Sequence, residues 1–183
     1  MQSALSLLVS VAVALRLGAV STASAEDVRT GHVMATMALR QFPLEITVPD
    51  SVAAGSTGPG GTISATLGTV TVTDARPSDP SWSVTVSATD FTTGGGSAAE
   101  TVTAGEVAYW SGPVTGSSGG GSHTPGQDTA QARVALSVPV TAFSGRKTSL
   151  STQITSWQPT LVITPPLSAV AGTYTGVIVH SVT

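Results

Sequence analysis

Apolar and hydroxyl-bearing residues alternate along most of this chain, most clearly between Gly68 and Phe91. Val70 and Val72 alternate with Thr69, Thr71 and Thr73. Trp82, Val84, Val86 and Ala88 alternate with Ser83, Thr85 and Ser87. A period of two puts each set on one face of an extended strand. Asp74 to Ser81 lies between them, with Pro77 and Pro80 as turn residues. The stretch therefore predicts two half-buried strands joined as an antiparallel pair.

The same pattern recurs in shorter runs. Leu44, Ile46 and Val48 share a face before Pro49-Asp50, and Ile63 to Leu67 is a short strand. Val102 and Glu106 to Trp110 are weaker strands. Val134, Leu136 and Val138 are in phase over Arg133 to Val140, where Pro139 marks a sheet edge. Thr160 to Thr164 is an apolar strand closed by Pro165-Pro166. The last segment, Thr173 to Val182, sets Tyr174, Gly176, Ile178, His180 and Val182 against Val177 and Val179. Gly/Ser/Pro-rich loops separate the strands, and the longest, Thr115 to Gln127, has the composition of a flexible linker. About eight to ten strands with no amphipathic helix predict an all-β, antiparallel, immunoglobulin-like sandwich.

The first 25 residues follow a different rule. Leu5 to Leu15 is an apolar run of signal-core length, and Ala23-Ser24-Ala25 is a small-x-small cleavage pattern. The run is shorter than the roughly 20 apolar residues of a membrane-spanning helix. The expected organisation is a secretory signal over 1–25, a flexible leader over 26–43 with weak helical character across 26–41, and one domain over 44–183.

Composition narrows the function classes. Charged residues make up 9% of the chain and Lys147 is the sole lysine, so surface polarity comes from hydroxyl groups. That usage is common in secreted proteins of GC-rich bacteria. A net charge of −3 offers no basic footprint for nucleic acid. The absence of cysteine excludes disulfides and thiol chemistry. The three histidines, His32, His123 and His180, do not have metal-ligand spacing. No GxSxG elbow activates a serine. Asp74, Asp79, Asp90, Glu106 and Asp128 lie on separate loops without a calcium-loop motif or a nominated acid–base pair. The expectation is a non-enzymatic protein without metal or cofactor.

Recognition would fall to the aromatics. Trp82, Tyr109, Trp110 and Trp157 are the candidate ligand-binding residues, because aromatic faces stack on sugar rings and anchor interfaces. Each also suits a core, Trp82 most of all. Asp74 and Arg76 read as a structural turn, with Asp74 accepting backbone N–H groups and Arg76 pinning a nearby loop.

The run Val72-Thr73-Asp74-Ala75-Arg76, followed by Trp82-Ser83-Val84-Thr85-Val86 and Phe91, resembles the WxL domain. So does the ending Ala171-Gly172-Thr173-Tyr174-Thr175-Gly176-Val177-Ile178. WxL domains are secreted cell-wall-binding modules of Gram-positive bacteria, and the resemblance spans about Leu44 to Thr183. It implies a β-sandwich at the cell envelope with peptidoglycan or another wall glycan as ligand. The motif tripeptides have diverged: Trp82-Ser83-Val84 has Val in place of Leu, and His180-Ser181-Val182 lacks the tryptophan. The alternative partner is another surface protein, met through the edge near Val134 to Pro139 or the final strand.

Overall fold

Period-two alternation needs a partner surface for its apolar face, and the strands find it in stacked antiparallel sheets. A computed structural model describes residues 9–15, 31–37, 43–77 and 81–183. The chain divides into two compact units, residues 1–41 and 42–183. In the first, β1 (Val9–Leu15) pairs antiparallel with β2 (Gly31–Met37), with Val13 opposite Val33. Weak helical character was expected across 26–41, but Gly31–Met37 is extended. That segment has no helix cap, and β-branched residues favour the strand. The predicted cleavage site at Ala23–Ala25 lies outside the described residues. Among the described residues no helix is long and apolar enough to cross a membrane.

The second unit is the all-β antiparallel sandwich. One sheet has the order β10 (Val114–Ser118), β14 (Gln153–Trp157), β5 (Val70–Asp74), β3 (Leu44–Thr47). A second has the order β12 (Val134–Ala135), β9 (Val107–Trp110), β15 (Thr160–Ile163), β4 (Ile63–Thr66). Three chain segments run through both: β4 into β5, β9 into β10, and β14 into β15. The two sheets are therefore halves of one bent sheet. Its bend falls where the ladder is interrupted. Pro113 and Pro159 have no N–H to donate, and Gly68 and Gly112 take φ of +85° and +73°. The third sheet, β11 (Gly121–Pro125), β13 (Val140–Lys147), β6 (Ser81–Ala88), β16 (Ile178–Val182), packs across both halves. A small pair, β7 (Phe91–Thr92) with β8 (Thr101–Val102), completes the unit.

The two strands of the leading pattern form as expected, and Val70, Val72, Trp82, Val84 and Val86 are all buried. Their pairing does not. β5 pairs with β14 and β3, whereas β6 pairs with β13 and β16. The arch that carries the chain from one sheet to the other is described over residues 75–77. Two apolar faces that must meet across the interior cannot also lie side by side in one sheet.

The glycine-rich stretch after Thr115 differs in the same way. It forms β10 and β11, one in each sheet, instead of a flexible loop. Its glycines serve close approach. At Gly119, where φ is +83°, a Cβ would overlap the Thr152 carbonyl oxygen; at Gly121, with φ +122°, it would overlap that of Arg146. The run from Arg133 to Val140 is not one strand. It breaks after Ala135, Leu136 is buried, and Val138 is 62% exposed. The last strand begins only at Ile178, with Thr175 joined to Thr92 by an isolated bridge. A register shift between Thr141 and Phe143 turns both Ala142 and Phe143 inward, which fills the core opposite Trp157.

Candidate functional site

Three of the four candidate aromatics are core residues. Trp82 is 2% exposed, and Tyr109 and Trp157 are fully buried. The Phe143 ring stacks at 4.6 Å from that of Trp157 and 6.4 Å from that of Trp82. Trp82 Nε1 donates to Gln153 Oε1 at 2.8 Å, tying the two layers together. These three rings, offered as candidate binding residues, are buried in the core. The reason is volume: a chain with 4% aromatic residues spends them where they fill the interior.

Trp110 is the exception. Along β9, Val107 and Tyr109 point inward and Ala108 and Trp110 point outward. Trp110 is half-buried, with Gly112 beside its ring. On the same outer face lies a shallow groove of about 550 Å³. Ala108 and Val162, cross-strand partners, lie along it. Pro165, Pro166 and Leu167 form an apolar side, with Leu167 85% exposed. Glu106 and Arg133 bring opposite charges to it. Trp110 lies two residues beyond Ala108 on that face, about 7 Å along the strand. Glu106 closes a capping box by accepting from the Thr103 N–H at 2.7 Å, and Arg133 Nη1 donates to the Ala130 carbonyl at 3.1 Å. Both groove charges are therefore held in place by local backbone contacts.

Asp74 and Arg76 lie at the arch between β5 and β6. Asp74 Oδ1 accepts the Arg76 backbone N–H at 3.0 Å, which is an Asx turn, and the guanidinium donates to both carboxylate oxygens at 3.0 and 2.8 Å. Arg76 Nη2 also reaches the Ser81 carbonyl at 3.1 Å. Lys147, fully buried, donates from the facing sheet to the carbonyls of Asp74 and Arg76. Burial pushes the Asp74 pKa up, but hydrogen bonds and charge from Arg76, helped by Lys147, outweigh it and leave it below the ordinary carboxylate value. The cluster fastens the arch to both layers. The alternation pattern gave no sign that Lys147 would be buried.

His123 and His180 are both interior-facing. His123 was expected in a flexible loop; it lies on β11, with Nδ1 2.7 Å from Thr155 Oγ1 across the sandwich. His180 Nε2 is 3.2 Å from the Tyr109 hydroxyl. Burial lowers the His180 pKa to about 4 and raises that of Tyr109. Among the described residues no three metal-ligating side chains converge. Asp90 Oδ1 accepts the Ala104 N–H at 2.8 Å, a contact between two loops. No family model, curated protein or solved structure matches this chain.

Proposed function

We propose that this chain is a secreted, non-enzymatic module of the bacterial cell envelope that binds a wall glycan in the groove beside Trp110. The observation that carries the proposal is the shared face. Ala108 lines the groove, and Trp110, two residues further on and outside the lining, faces the same side of β9. A tryptophan face suits the C–H side of a sugar ring, and the hydroxyls of Thr62 and Thr164, with Glu106 and Arg133, suit its O–H groups. Secretion rests on the signal-like start of the chain, and the envelope on the WxL resemblance. In that resemblance, wall attachment belongs to the positions held here by Trp82 and His180. Both side chains face the interior, so the proposal moves the ligand to the groove.

The test is co-sedimentation of the full chain with protein-stripped Gram-positive cell walls. The wild type is expected to pellet, and Trp110→Ala to lose binding by about tenfold or more, the scale of an aromatic anchor, with its near-UV circular dichroism retained. Arg133→Ala, at an exposed position, is expected to weaken binding without affecting the fold. A wild type that stays in the supernatant refutes the glycan assignment.

The second reading, a surface protein as partner, is favoured by the sheet edges. β12 and β16 each end their sheet, and Val177 and Val179 beside the β16 edge are 55% and 47% exposed. An added strand would pair there.

A further inference from the structure

A second cavity lies inside the sandwich, away from the groove. It encloses about 210 Å³ between the bent sheet and β16. The apolar part of its wall has Leu67, Val70, Phe91, Leu161, Ile163 and Ile178 among its side chains, and Asp50 and Ser51 bring polar groups to it. Val48, Val52 and Val177, each 40% or more exposed, also line it and mark its mouth. The one imidazole in this wall is that of His180.

The hydrogen bonding behind His180 sets which ring nitrogen carries the proton. Tyr109 is fully buried, and among the described residues its hydroxyl has one hydrogen-bond partner, His180 Nε2, so its proton is satisfied only by donating there. The Tyr109 proton is then directed to His180 Nε2, 3.2 Å away. A neutral imidazole that accepts at Nε2 must carry its proton on Nδ1. Among the described residues Nδ1 has no hydrogen-bond partner. It is also not one of the fully buried unpartnered atoms, which are Gln127 Oε1 and Trp157 Nε1. It therefore opens onto accessible space, and the space that this ring lines is the cavity. A donor at that wall stays unpaired unless a molecule in the cavity accepts from it.

We propose that this cavity binds one small, mainly apolar molecule with a single hydrogen-bond acceptor, held by His180 Nδ1–H. A dry apolar cavity of about 150 Å³ takes one benzene ring, so this one takes roughly eight heavy atoms. An aryl or short alkyl ketone, aldehyde or ester has that size and chemistry. The site is independent of the glycan groove and stands if the groove fails.

The experiment titrates the full chain with acetophenone and, separately, with ethylbenzene, which has nearly the same shape but no acceptor. Binding is read by isothermal calorimetry at neutral pH, and the His180 tautomer by ¹⁵N NMR of the imidazole. Acetophenone is expected to bind about fivefold tighter than ethylbenzene, as one hydrogen bond provides, with the proton on Nδ1. His180→Phe is expected to remove that preference. Ala54→Phe, on the loop that lines the cavity, should block both probes while preserving the circular dichroism spectrum. Equal affinity of the two probes for the wild type, binding of neither at millimolar concentration, or a proton on Nε2 would each overturn the proposal.

Discussion

The sandwich has two polar nodes in its interior, and they keep buried ionisable groups in opposite ways. At the arch, Asp74 is kept ionised, its pKa lowered by Arg76 and Lys147 against the pull of burial. Each charge has a partner: the carboxylate has the guanidinium, and the ammonium has two backbone carbonyls. At the cavity, Tyr109 and His180 stay neutral, since burial pushes the phenol pKa up and the imidazole pKa down. The charged node joins the end of β5 to β13 in the opposite sheet. The neutral node leaves a ring nitrogen free at a cavity wall. Full pairing makes a fastening, and incomplete pairing leaves a site with chemistry to spare.

Removing one charge from the first node is the largest expected perturbation. Asp74→Ala removes the carboxylate that holds the Arg76 guanidinium and the Asx turn, and with it the nearest opposite charge to buried Lys147, and should cost about 3 kcal/mol in urea unfolding. A loss below about 1 kcal/mol would show that the cluster does not fasten the arch.

Acid separates the nodes next. The folded-state pKa of His180, about 4, lies below its ordinary 6.5. Stability from this group is complete above pH 6.5. It falls as the unfolded chain takes up a proton that the folded chain refuses, and levels out below about pH 4. The loss across this window is about 3 kcal/mol, and His123, also shifted down by burial, adds in the same direction. Asp74 behaves otherwise. Its stabilisation is complete above its ordinary value of 3.8 and is lost only as pH falls further through its depressed folded value. Unfolding followed from pH 7 to 3 should therefore show two windows, and His180→Phe should flatten the upper one. A wild-type profile flat between pH 6.5 and 4 would contradict the neutral node.

The smallest effect contrasts two tryptophans in the same core. Trp82→Phe breaks the 2.8 Å bond to Gln153 Oε1 and leaves that buried oxygen unpaired. Trp157→Phe breaks no hydrogen bond. With similar ring volume lost, Trp82→Phe should destabilise by about 1 kcal/mol more. Equal costs would mean that packing alone sets the role of both rings.

The site was less legible in the sequence than the strands. Trp110 and Trp157 both end a β-like run and are followed by proline, so local pattern could not tell an outward ring from an inward one. Burial distinguishes them: Tyr109, one residue earlier, takes the inward position on β9, and Trp157 lies opposite Val70 on the inner face of β14. The groove was invisible for the same reason. Glu106, Arg133 and Val162 come from three separated segments and meet only because β9, β12 and β15 share a sheet.

By itself the sequence determined the class of fold and the inward faces of its best strands. Alternation is a local property, and burying one side of a two-faced ribbon needs only some apolar partner. Tertiary structure alone decided which strands pair, because pairing depends on closure. Val70–Asp74 and Ser81–Ala88 lie close in sequence yet in different sheets, since their valines must face each other across the core. It also decided that Gly119 and Gly121 permit contact where flexibility was expected, and that a lone lysine is buried. Those outcomes follow from backbone approaching backbone across the sandwich, a distance that no periodicity along the chain encodes.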